Sequence, residues 1–178
     1  QNWHCFGCDR GGDLYKFVME MNGLDFRTAL EELARDAGVQ LRPRTQAEIK
    51  AENEADRLRQ LLQAAVAYYH TLLMTSPQAE HARRYLKNRG FTRKTLEIFQ
   101  LGYSMDAWDA ARTHLSGAGF SVEDQVKAGM LVRRDDGRTY DRFRNRVMIP
   151  IHDRRGRPIA FGGRVLNPDD QPKYMNSP

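Results

Sequence analysis

A change of hydrophobic period at Met130 restricts the fold more than any other feature of this sequence. Before it, apolar residues recur every three or four positions, as on helices; after it, they alternate, as on strands. Strands are predicted near residues 130–134, 138–143, 146–152 and 157–165. Asp136-Gly137 and the run Asp153 to Gly156 have the composition of hairpin turns, so the strands should be antiparallel. The expected fold class is α+β.

The helical part divides further. Residues 1–12 are glycine-rich and read as a loop or hairpin end. Asp13 opens a helix with Leu14, Phe17, Val18 and Met21 on one stripe, stopped by Gly23. Asp25 caps a second, with Phe26, Ala29, Leu30, Leu33 and Ala37 inward and Gly38 behind it. Residues 40–44, with Pro43, form a linker. Thr45 and Glu48 have capping-box spacing and start a long helix to about Met74, whose apolar positions Leu58, Leu61, Leu62, Ala65, Tyr69 and Leu72 recur every three or four residues and should dock on something. Ser76-Pro77 caps the next helix, whose inner face is Ala82, Tyr85 and Leu86. Shorter helices are predicted around 93–99, 107–115 and 122–128. Three segments result: 1–40, a small partial metal module; 41–75, linker and long helix; and 76–178, helices plus a basic sheet.

The charge is concentrated in the sheet region. The chain carries +5 overall. Residues 131–164 alone hold ten arginines against four aspartates, a local excess of six. Guanidinium forks bind phosphate oxygens in a bidentate way, so an arginine surface suits nucleic acid; a solvated, solubilising face is the other reading. In the stretch Tyr140 to Ile151, strand alternation puts Phe143, Val147, Ile149 and Ile151 on one face. Arg142, Arg144 and Arg146 fall on the other, about 6.6 Å apart, a spacing that can follow an extended phosphate backbone. The alternative is an edge strand protected by charge. Gly162 and Gly163, expected to end the last strand, permit a bulge or a close approach of backbone to a ligand.

The chain has two cysteines, Cys5 and Cys8. Two thiolates three positions apart on a glycine-containing turn can hold one metal ion, but zinc takes four ligands. The pair therefore reads as half a zinc site, with His4 a bystander and the remaining ligands upstream. Thiol–disulfide exchange is the competing use of such a motif, but redox pairs follow a strand of a βαβ unit, and no strand pattern precedes this one.

Taken in order, several motifs resemble one known family. His4-Cys-Phe-Gly-Cys8, Gly11-Gly-Asp13 and Phe17-Val-Met-Glu20 resemble the second half of the zinc-binding domain of bacterial, DnaG-type primases. Arg84 to Phe91, Leu101 to Ser104, Tyr140 to Ile151, Phe161 to Leu166 and Pro172 to Pro178 resemble the N-terminal subdomain of the same family's RNA polymerase domain. The resemblance implies an enzyme that copies single-stranded DNA into short RNA primers from ribonucleotides. It implies a structural Zn2+ held by Cys, His, Cys and Cys, of which Cys5 and Cys8 match the last two. Arg89, Arg144, Arg146, Arg164, Lys173 and Asn176 become candidates for the nucleic-acid groove, beside Arg142 from the strand pattern.

The resemblance also implies parts that the chain lacks. The catalytic TOPRIM subdomain, with its Mg2+ or Mn2+, would begin after Pro178, so no catalytic residue is expected within the chain, which reads as cut at both ends. The replicative helicase would be contacted through a region not present. A bacterial cytoplasmic, nucleoid-associated protein with no membrane contact is expected. A non-catalytic zinc-ribbon adaptor for single-stranded DNA is the second reading.

Overall fold

The computed structural model describes residues 2–167 and 169–178. Two compact units divide the chain, residues 1–49 and 50–178.

In the first unit, β1 (Asn2–His4) and β2 (Gly11–Asp13) form an antiparallel hairpin with Trp3 opposite Gly12. The turn between them carries the cysteines and is closed by Cys5 N–H donating to Arg10 O at 2.7 Å. Two helices follow, α1 (Leu14–Asn22) and α2 (Phe26–Asp36). The Asp13 carboxylate accepts from Lys16 N–H and the Asp25 carboxylate from Thr28 N–H, satisfying first-turn donors as the sequence predicts. Gly23 ends α1 in the left-handed region at φ 64°. The apolar stripe of α1 is not buried: Leu14, Phe17 and Met21 are 50%, 42% and 68% exposed, and only Ala29 and Ala34 of α2 reach the interior.

Helix α3 (Gln46–Thr75) opens with the expected capping box: Glu48 N–H donates to Thr45 Oγ1 and Thr45 N–H to Glu48 Oε2. From Lys50 onward it belongs to the second unit. Leu61, Leu62, Ala65, Val66, Tyr69 and Leu73 recur at helical spacing and are buried. A single 3-10 turn (Pro77–Ala79) leads into α4 (Glu80–Asn88) and α5 (Arg93–Ile98), then β3 (Gly102–Ser104). Next come α6 (Ala110–Gly117), α7 (Val122–Lys127) and the short hairpin β4 (Leu131–Arg133) and β5 (Thr139–Asp141). Three strands complete the fold: β6 (Arg146–His152), β7 (Pro158–Val165) and β8 (Tyr174–Asn176). The main sheet is antiparallel, in the order β3-β6-β7-β8.

Strand β6 separates two cores. Val147 packs with Leu73, Ala82, Leu86, Leu96 and Tyr103. Its neighbour Met148 points to the opposite face and packs with Leu61, Ala65, Tyr69, Phe143 and Phe161. Gly163 lies opposite Met148, and a Cβ there would come 2.6 Å from Phe143 Cδ1 and 3.0 Å from Arg146 Cδ. Gly102, on the other side of Met148, would meet Tyr69 Cβ at 2.5 Å. Both glycines are required by close approach of aromatic residues.

Helix α6 lacks a side-chain cap of its own. Buried Asp141 serves instead, accepting from Ala111 N–H at 2.7 Å and Arg112 N–H at 3.0 Å. Burial pushes its carboxyl above the usual range despite those two bonds. Between α3 and α7, Arg57 pairs with buried Asp124 at 2.9 Å and Lys127 pairs with Glu54.

Several expectations need correction. The strand predicted over 138–143 ends at Asp141. The chain then leaves the ladder: Arg142 N–H donates to Met130 O, and Asn145 adopts a left-handed φ of 48°. Arg142, Arg144 and Arg146 therefore do not line one strand face. Phe143 is buried as expected, but on the Met148 side, opposite Val147. Val147, Ile149 and Ile151 do share a face, yet Ile149 and Ile151 are 42% and 39% exposed. Gly162 and Gly163 are mid-sheet, since β8 pairs beyond them, and the bulge lies at Ile151/His152.

The fit of Phe143 over Gly163 gives a stability test. Gly163→Ala should destabilise the protein by about 1–3 kcal/mol through overpacking. Phe143→Leu in the same chain should recover part of that loss, so the double variant melts above the sum of the single effects. Additive losses in thermal melting would show that the ring does not set the limit.

Candidate nucleic-acid interface

Most of the candidate basic residues border three adjoining openings of the second unit. At one end, α4 brings Tyr85 and Arg89 to the sheet face that carries Val147, Ile149 and Arg164. The Arg164 guanidinium lies 4.1 Å from the Tyr85 ring centroid, and Arg89 Nε donates to the Tyr85 hydroxyl at 3.1 Å. That hydroxyl holds the Arg89 guanidinium above its ordinary pKa. These residues, with Phe91, His152 and Tyr174, border a mainly apolar groove of about 550 Å3.

At the other end, Arg142, Arg144 and Arg146 border a polar cavity of about 210 Å3 with Asp106, Asp170 and Gln171. A third cavity, about 180 Å3, is bordered by Arg164, Gln171 and Lys173. Gln171 lines both smaller cavities, and Arg164 lines both the third cavity and the large groove. The three openings thus adjoin along one path through shared lining residues, and at least one arginine borders each.

The individual arginines differ. Arg146 is 5% exposed, and its Nη1 donates to Pro172 O at 2.9 Å and Gly163 O at 3.3 Å. Burial, with Arg144 nearby, holds its pKa below the ordinary guanidinium value, but an arginine stays charged. It ties the 171–173 loop to the sheet. Arg142 is half-buried and donates from Nε to Gly129 O at 2.7 Å. Arg144, also half-buried, donates to Asp141 O at 2.6 Å and lies 4.0 Å from the Trp108 centroid. Lys173 is exposed, 5.9 Å from the Tyr174 ring. Asn176 is exposed, opposite Gly162, on the face that holds Tyr174; it lines none of the three openings.

Sequence reasoning missed the aromatic supports of these arginines. Tyr85 was expected on the inner face of its helix, whereas it is half-buried and carries two guanidiniums. The four-residue spacing from Tyr85 to Arg89 on one helix was a usable signal. Trp108 and Tyr140 lie too far apart in the chain to give one.

In the first unit, Cys5 and Cys8 are exposed on their turn. Backbone N–H groups of Gly7 and Cys8 donate to the Cys5 sulfur and lower its pKa, with Arg10 adding to the effect. N–H donors aimed at a thiolate on a tight turn fit a metal-binding knuckle, so the pair fits two of the four zinc ligands. His4 Nε2 is instead 3.0 Å from Asp9 Oδ1. Among the described residues no cluster of three or more metal-ligating side chains occurs, and no helix is long and apolar enough to cross a membrane.

Residues 68–178 match the family model described as the DNA primase catalytic core, N-terminal domain, and residues 1–49 match the CHC2 zinc finger. The chain belongs to the DnaG-type DNA primase family. It is 40% identical over its whole length to a DNA primase of Halalkalibacterium halodurans, covering 30% of that protein. It is 44% identical, again over its whole length, to one of Pseudomonas aeruginosa, covering 27%. A solved DnaG primase catalytic domain bound to ssDNA aligns with 71% of this chain and 40% of its own at a TM-score of 0.64 and 43% identity. The chain spans about 30% of the length of the first of these relatives. The mixed helical and antiparallel fold is that of primase catalytic cores, as the α+β expectation held.

The split between structural and surface arginines can be measured. Arg146→Ala strands the buried Gly163 carbonyl, frees the part-buried Pro172 carbonyl and should cost about 2–3 kcal/mol. Arg144→Ala, which loses one half-buried bond, should cost about 1 kcal/mol. Urea unfolding followed by intrinsic fluorescence distinguishes them. Equal losses would remove the role assigned to Arg146 as the loop's tie.

Proposed function

We propose that this chain is the template-binding part, together with half of the zinc finger, of a DNA primase that lays short RNA primers on single-stranded DNA. The observation that carries this is the connected basic path from Arg142 and Arg144 through Lys173 and Arg164 to Arg89. Guanidiniums supported by aromatic rings along such a path suit phosphate neutralisation without base selection. The solved primase domain bound to ssDNA supports the reading.

In this reading Arg89, Arg142, Arg144, Arg164 and Lys173 bind and guide the template, Asn176 contacts it from β8, and Arg146 contributes charge from within while holding the loop. The division carried forward is 1–40 for the zinc-finger part, 41–75 for the connecting segment and 76–178 for template binding, with the second half of α3 serving the core of the last. Cys5 and Cys8 hold a structural Zn2+ with two ligands from the longer protein. Catalytic Mg2+ or Mn2+, ribonucleotide binding and the helicase contact likewise belong to the longer protein. When bound, the divalent ions neutralise charge developing on the transferred phosphoryl group.

Two measurements test the proposal. Arg89→Ala and Lys173→Ala should each weaken binding of single-stranded DNA about equally for all sequences, and lower the salt slope by about 0.7 per lost phosphate contact. Unchanged slopes would place the template elsewhere. In the full-length protein, Cys8→Ser should reduce zinc from about one tightly held ion per chain to a weakly held remainder, read by metal analysis after dialysis. Retained stoichiometric zinc would exclude Cys8 as a ligand.

A further inference from the structure

Trp108, which supports Arg144, borders none of the three openings, and its surroundings are unusual. It sits in the segment before α6, 57% exposed. Its backbone carbonyl accepts Asp141 N–H at 2.8 Å, which fixes its place beside the β4–β5 hairpin. The Tyr140 ring meets it edge-on at 5.5 Å. Arg144 lies over it at 4.0 Å, and Arg134 lies 5.0 Å from the Tyr140 centroid and 5.9 Å from that of Trp108. Among the described residues neither guanidinium is in an ion pair, whereas Arg133 and Arg138 of the same hairpin are paired with Glu123 and Asp136. Arg144 also borders the polar cavity with Arg142 and Arg146.

We propose that Trp108, backed by Tyr140 and flanked by Arg134 and Arg144, is a stacking subsite for one unpaired nucleobase of the bound strand. The inference rests on the single-stranded DNA reading above and adds to it a contact with a base rather than a phosphate. An indole with an edge-on aromatic neighbour is held in orientation while much of its surface stays open to solvent. A base lying on that surface gains stacking, and the two unpaired cations beside it neutralise the phosphates on either side. Every base offers a π-face, so the subsite strengthens binding without selecting sequence. A purely structural Trp108 would shield Tyr140 and leave DNA affinity to the arginines.

The chain has two tryptophans, so a Trp3→Phe background isolates the emission of Trp108. Binding of a short oligothymidylate to the 178-residue chain should quench that emission. An abasic oligomer of the same length, which offers phosphates without bases, should bind without quenching it. Trp108→Leu should weaken oligothymidylate binding about tenfold, within the range for loss of one stacked base, and leave both its salt slope and the affinity for the abasic oligomer unchanged. Trp108→Phe should keep most of the affinity. Melting curves confirm that the variants fold; if Trp108→Leu does not, the quench and Trp108→Phe decide. Unquenched emission, or equal losses on the two oligomers, overturns the stacking subsite. Failure of the unaltered chain to bind either oligomer overturns instead the single-stranded DNA reading beneath it.

Discussion

The second unit depends on one strand whose neighbouring side chains enter different cores. β6 is paired on both sides, so its backbone is committed, and its alternation sends Val147 to the α4 and α5 cluster and Met148 to the α3 cluster. Fixing β6 fixes the register of β3 and β7 and, through β7, of β8. It also places Arg146 at the strand's first position, where it shares the Met148 face and reaches Gly163 O and Pro172 O. The loop that completes the basic path is thereby held by the element that organises the core. Functional surface and hydrophobic interior are joined through one buried cation, whose desolvation cost is offset by carbonyl acceptors.

How much of this was legible in the sequence varied with distance. Local signals were read well: the Asp13, Asp25 and Thr45 caps, the glycine stop at Gly23, the buried stripe of α3 and the turn at Gly137 each depend on residues within a few positions. The arginine row failed because alternation was extended through Asn145, whose left-handed backbone breaks the strand. An asparagine among arginines gives little warning of that. Ile149 and Ile151 carried the right parity but the wrong burial, because what covers a sheet face is decided by elements far away in the chain. Gly163 was recognised as a point of close approach, although the approaching group is the Phe143 ring rather than a ligand. The arginines were picked out as candidates from the sequence, while Tyr85, Trp108 and Tyr140, which position them, were not.

Those aromatics explain why the surface is built from arginine. A guanidinium is planar and weakly hydrated, so it can lie on a ring and still direct N–H groups outward; an ammonium loses more solvation in the same place. Arg164 on Tyr85 and Arg144 on Trp108 are both held this way. Each also donates to a backbone carbonyl, of Val165 and Asp141 respectively. A cation ordered in advance loses less side-chain entropy when it meets a phosphate. The exposed Lys173 has a looser support, with its ammonium 5.9 Å from the Tyr174 ring. The path therefore combines rigid cations with an adaptable one, a mixture that suits the proposed template, which would have to be gripped and still move.

The first unit follows different physics. Its two helices bury only Ala29 and Ala34, while Leu14, Phe17, Met21 and Phe26 stay substantially exposed. So small an interior removes little apolar area from water, and ordering each residue costs about 1–2 kcal/mol of backbone entropy. Capping bonds at Asp13 and Asp25 contribute about 1 kcal/mol each and do not close that gap. Ligand bonds to a metal ion can, because a site absent from the unfolded chain turns binding free energy into folding free energy. The Cys5 to Cys8 turn, with backbone N–H groups aimed at sulfur, is where such bonds would act. The zinc proposed for this unit would then take the place that two hydrophobic clusters occupy in the other.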